Sequence, residues 1–145
     1  MPLVKSTLQQ ALVQMEPTDN VAAAAGEWAN AINTYASSIL PLSITSQVAL
    51  GTLQTTLLGI GAPGAFNIIL PQALTAYATT LGLGMAPAFT ATPPPSPPII
   101  TPALQLGQNG GTKQQVMQSF ANIIHAWFRT GIAVNSTTGV PVNWL

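Results

Sequence analysis

Cysteine is absent from the 145 residues, and charge is nearly so: only 4% of the side chains are Asp, Glu, Lys or Arg. An ordinary soluble domain carries about 25%. Without cysteine there is no disulfide framework, no thiolate nucleophile and no thiolate metal site. The acids are Glu16, Asp19 and Glu27, the bases Lys5, Lys113 and Arg129, and none falls between Trp28 and Thr112. With net charge zero and no basic cluster, nothing supplies the phosphate neutralisation that nucleic-acid binding needs, nor attraction to anionic lipid. A charge-poor surface near neutrality promotes association. The composition therefore favours a chain whose surface is covered by partners over a freely circulating monomer.

Acid–base chemistry is equally short of material. His125 is the only histidine, so paired imidazoles and His-rich metal sites are excluded. It falls beside the apolar stripe of a helix, where a hydrogen-bonded flank residue is expected rather than a catalytic base. Glu16, Asp19 and Glu27 gather near a helix start, where Asp19 reads as a cap or first-turn acid and Glu27 as an exposed acid, with no partner group to suggest a glycosidase pair. No Gly-x-Ser-x-Gly turn or phosphate-binding Gly-x-x-x-x-Gly-Lys loop occurs. Gly59-Ile60-Gly61 and Gly82-Leu83-Gly84 read as helix ends. No enzyme, cofactor, metal or small-molecule substrate is expected. The N-terminal Met1–Ser6 lacks the basic and apolar regions of a signal peptide.

Apolar residues make up 48% of the chain, enough for a core at this length. The pattern predicts a mainly α fold: a bundle of about five helices, an extended proline-rich arm, and a short C-terminal β hairpin or edge strand. The body is residues 1–87, the arm 88–111 and the last helix with its β tail 112–145, packed together as one domain. Helix one spans Leu3 to Met15 and stops at Glu16-Pro17. Thr18 or Asp19 caps helix two, whose stripe is Val21, Ala25, Trp28, Ile32, Tyr35 and Ile39. Helix three, capped by Ser43 or Thr45, buries Val48, Leu50, Leu53, Leu57 and Ile60. Helix four reaches Leu81, with Pro71 suited to its first turn. Clustered prolines from Pro93 to Pro98 make the arm extended. Its apolar residues Ile99, Ile100, Leu104 and Leu106 should lie against the domain or a neighbour. Thr112 and Gln115 form a capping-box pattern before the last helix, which Gly131 closes in a left-handed conformation. In the tail, Val140, Val142 and Trp144 alternate with Pro141 and Asn143, as on an edge strand. Trp144 either packs at home or docks elsewhere.

An Ala- and Thr-rich helical body, a proline-rich stretch, then Phe120-Ala121-Asn122-Ile123-Ile124-His125-Ala126-Trp127 and the β tail Thr130-Gly131-Ile132-Ala133-Val134 resembles small virion structural proteins of tailed bacteriophages. The resemblance covers about the last forty residues and the general composition. It implies a multi-copy, non-enzymatic component of the neck, tail, baseplate or capsid exterior. Its partners would be itself and other virion proteins, and the apolar arm and alternating tail make Ile99, Ile100, Leu104, Leu106, Val140, Val142 and Trp144 the expected contacts. The competing expectation is a secreted or membrane-active helical protein, motivated by the uncharged stretch Leu57–Leu81. The prolines and glycines in that stretch, and the lack of flanking Lys or Arg, argue against stable membrane insertion.

Overall fold

The computed structural model describes residues 3–15, 20–39, 43, 45–59 and 65–145. Its architecture is mainly α with a small antiparallel sheet. In chain order the elements are α1 (Lys5–Val13), α2 (Val21–Ala36), α3 (Ser46–Leu57), α4 (Phe66–Leu83), β1 (Phe89–Thr92), α5 (Thr101–Gln108), α6 (Lys113–Phe128), β2 (Ile132–Asn135) and β3 (Pro141–Asn143). Helix α1 packs on α2 and α6, α2 on α3, α3 on α4, and α5 on α6.

Aromatic contacts on α6 tie the bundle together. Phe120 meets Trp28 of α2 and Phe66 of α4, with ring centroids 5.3 and 6.0 Å away. About two turns further along α6, Phe128 touches Tyr35, Tyr77, Trp127 and Trp144. Edge-on geometries among these rings are the favoured ones for aromatic pairs. The buried tyrosine hydroxyls are both satisfied, Tyr77 donating to Asn33 Oδ1 (3.0 Å) and Tyr35 bonded to His125 Nδ1 (2.7 Å).

Local chemistry accounts for most element boundaries. The Thr112–Gln115 capping box is present in both directions, so α6 begins where expected. Asn20 caps α2 through its side-chain oxygen; the expected caps Thr18 and Asp19 lie outside the described residues, as do Glu16 and Ile60. Three expectations need correction. Ser43 and Thr45 do not cap α3. Their hydroxyls turn the other way and donate to the Leu81 and Thr80 carbonyls (2.7 and 2.6 Å), satisfying the end of α4. Gly84 is what admits them, since a Cβ there would stand 2.4 Å from the Ser43 oxygen. Pro71 lies inside α4 rather than at its start. The carbonyl it leaves unpaired belongs to Asn67, an exposed residue that water can reach. Val48 is 64% exposed, because Ala49, Leu53 and Leu57 form the buried face of α3.

The stretch from 88 to 111 differs most from expectation. It holds a strand and a helix where the prolines predict an extended arm, which brings the described helices to six. Phe89 and Ala91 alternate with exposed Thr90 and Thr92, a half-buried strand of residues suited to a pleated surface. Strand β1 pairs antiparallel with β2 in the register Phe89↔Asn135 to Thr92↔Ile132, and β2 pairs with β3 from Ile132↔Asn143 to Val134↔Pro141. This third strand supplies the partner that an isolated hairpin needs in water. Pro102 sits in the first turn of α5, where a missing N–H is harmless. The segment between them, Pro93 to Ile100, is irregular but fastened: Pro94, Pro98 and Ile100 are buried, and the Trp127 indole donates to the Ser96 carbonyl.

Among the described residues no helix is long and apolar enough to cross a membrane. Within the stretch 57–81, α3 stops at Leu57 and α4 starts only at Phe66.

Candidate docking surface

The seven residues expected at an interface divide into three groups. Ile100 and Trp144 are 2% and 0% exposed within the chain itself, so both are spent on the protein's own core. Leu104 and Leu106 are half-buried, Leu104 packing against the core from α5. Ile99, Val140 and Val142 remain exposed.

Trp144 is internal because Gly131 makes room for it. A Cβ on Gly131 would come within 2.5 Å of the indole ring, whereas one on Gly82 would stand in ordinary contact with it at 3.5 Å. Gly131 does not adopt the left-handed conformation expected of it; the described glycines with positive φ are Gly110 and Gly139. Its role is close approach of backbone to an aromatic face. The Trp144 Nε1 finds no acceptor among the described residues.

Seating Trp144 fixes how β3 presents its edge. The Trp144 N–H donates to the Gly131 carbonyl (2.9 Å), and the Asn135 N–H to the Val140 carbonyl (3.0 Å). Bonded and non-bonded pairs alternate along an antiparallel ladder. Val140, Val142 and Trp144 therefore bond inward to β2, while Pro141 and Asn143 turn their backbone groups outward. Pro141 has no N–H to offer, so the outer edge carries the Pro141 carbonyl and both backbone groups of Asn143. No strand among the described residues pairs with that edge, since β3 is terminal in the order β1-β2-β3. A proline on an exposed edge limits indiscriminate strand pairing.

Beside this edge lies an open groove of about 650 Å³ lined by His125 and Ala126 of α6, by Arg129 at its C-terminal cap and by Val142, Asn143 and Leu145. The Asn143 side chain closes its floor by donating to the Arg129 carbonyl (3.0 Å) at the end of α6. The groove is electropositive. Burial lowers the His125 pKa from its ordinary value, and the Arg129 guanidinium and then Lys5 of α1 lower it further. Arg129 forms no ion pair among the described residues. Glu27, the one acidic side chain among them, lies two turns before Tyr35 on α2, about 12 Å along the helix.

The sequence pointed to His125 as a hydrogen-bonded flank residue, and its bond to Tyr35 fits that reading. It gave no signal that Arg129, 14 residues from Asn143, would share a groove with the tail. That juxtaposition depends on the turn at Gly139 and the seating of Trp144.

The fold and this groove define a mainly α chain with a three-stranded sheet whose β3 edge pairs with no strand among the described residues. No protein-family model, curated protein or solved structure matches it.

Proposed function

We propose that the chain is a non-enzymatic assembly subunit of a bacteriophage virion, packing with copies of itself and with other structural proteins of the neck, tail, baseplate or capsid exterior. The observation that carries this reading is the β3 edge, unpaired among the described residues and flanked by exposed Val140 and Val142, on a chain with almost no charge. Added strands gain backbone hydrogen bonds from such an edge and specificity from pockets for alternate side chains. Ile99, Val48, Ile68 and Leu83 add apolar surface elsewhere, each well over half exposed in the isolated chain.

Two measurements test the reading together. Quantitative mass spectrometry of purified particles should find the chain in multiple copies, and sedimentation of the purified chain should show association rising with concentration. Val142→Lys should reduce both without unfolding the protein, since Val142 is 40% exposed. Truncating residues 140–145 is not a clean test, because it removes the buried Trp144. Absence from particles together with a monomer at every concentration rejects the proposal.

A further inference from the structure

We propose that the groove between β3 and the end of α6 receives an extended segment of another protein that carries an acidic side chain, added beyond β3 with its carboxylate on Arg129. The inference rests on the assembly reading and narrows the chemistry of the partner.

Three observations converge on this occupant. The outer edge of β3 exposes few backbone groups, namely the Pro141 carbonyl and the N–H and carbonyl of Asn143, so backbone pairing alone holds a strand weakly and side chains must set the choice. The apolar wall, Val142, Leu145 and Ala126, suits one face of an extended segment, whose side chains alternate. The opposite wall holds Arg129 and His125 with Lys5 nearby, so two of the chain's three cations act on one imidazole. The remaining cation, Lys113, is engaged by the Met15 carbonyl. In a chain this poor in charge, a positive site with no ion pair among the described residues selects for a carboxylate and against a basic segment. Guanidinium matches a carboxylate with two parallel hydrogen bonds, a geometry that an ammonium lacks.

The test is an NMR titration of the full chain with two capped peptides, Thr-Val-Glu-Val-Thr and Thr-Val-Lys-Val-Thr. The acidic peptide should shift amides at 125–129 and 140–145 and bind more weakly as salt rises; the basic peptide should not bind. Arg129→Glu should weaken the acidic peptide about tenfold or more, a difference of about 1.4 kcal/mol, and Arg129→Lys less. Both variants should fold as the parent does, because Arg129 is exposed. Equal binding of both peptides, no binding of either, or shifts centred elsewhere overturns the groove. So does Arg129→Glu entering particles at the normal copy number, an outcome that leaves the assembly reading intact. Conversely, a parent chain missing from particles removes the assembly reading while the peptide titration still reports on the groove.

Discussion

Trp127 and Trp144 each fasten a late segment of the chain to the helical body, and they do so by different physics. Trp127, on α6, holds the proline-rich segment through a directed bond from its indole N–H to the Ser96 carbonyl. Trp144 lies on the segment it secures. It is wholly buried against Gly131, Gly82 and Phe128, and its N–H is left without an acceptor among the described residues. One anchor is polar and positional, the other is shape and area. A bond to one carbonyl fixes where the arm crosses α6 but leaves Ile99 exposed beside it. A seated ring fixes the phase of a strand, deciding which of its residues pair inward and which face out. The open edge and its groove therefore depend on the second anchor far more than on the first.

The sharpest way to break this comparison is to remove the ring. Trp144→Ala should cost about 3–5 kcal/mol in denaturant unfolding, the range for large-to-small changes of buried Trp or Phe. Amide exchange should rise through 132–145 ahead of the rest of the chain. A loss under 1 kcal/mol, a size typical of surface substitutions, would mean that the tail is not held by its indole.

Next in size is the room made for the ring. Gly131→Ala places a methyl where the indole already lies, so the ring or the strand must shift, at about 1–3 kcal/mol for overpacking. Gly139→Ala provides the contrast. No atom stands within 4 Å of a Cβ there, so its cost is confined to the positive φ of 71°, about 1–2 kcal/mol. Gly131→Ala should diminish the near-ultraviolet signal of buried Trp144 and Gly139→Ala should leave it unchanged. Equal spectra would place the ring elsewhere.

Replacing each indole in turn by benzothienylalanine, which keeps the shape and loses the N–H, sharpens the comparison directly. At position 127 the Ser96 carbonyl loses its donor, and unfolding should register about 1 kcal/mol of destabilisation. At position 144 the change removes a buried donor that has no acceptor among the described residues, and should be neutral or stabilising. The reverse order would mean that the Trp144 N–H has a partner and the Trp127 bond contributes little.

How much of this was legible in the sequence follows from the range of each signal. The capping box of α6 and the edge character that Pro141 gives β3 could be read directly, because caps and prolines act within a few residues. The strand Phe89–Thr92 and the helix Thr101–Gln108 were hidden by the prolines around them. A segment dense in proline reads as extended, yet Pro102 at a helix start and prolines flanking a strand break neither element. Ser43, Thr45 and Gly131 were assigned the usual local roles of hydroxyls and glycines. Their real partners are the far end of α4 and a ring 13 positions along the chain, and no local pattern encodes such distances. The groove was invisible for the same reason: His125 and Arg129 are one turn apart on α6, but Val142 and Asn143 reach them only through a turn and a sheet register.

The smallest expected effect is acidic, and it falls on one side of the comparison. Burial, then Arg129, then Lys5 hold the His125 pKa below the ordinary imidazole value of 6.5. The unfolded chain therefore takes up a proton at His125 more readily than the folded one. Stability is full above pH 6.5 and falls as pH descends from there toward the lowered folded value, below which no further loss arises from this group. His125 is only partly buried, so the loss should be slight. Arg129→Gln should move the His125 titration, followed by NMR of the ring protons, up toward the ordinary value and shrink the loss. His125 bonds to Tyr35 on the bundle side and lines the groove on the other. Its protonation adds a third positive group there, so residues 140–145 should gain amide exchange with acid while 93–100, held by Trp127, do not. Equal loosening of both segments would mean that the two anchors fail as one unit, and that the groove has no local response of its own.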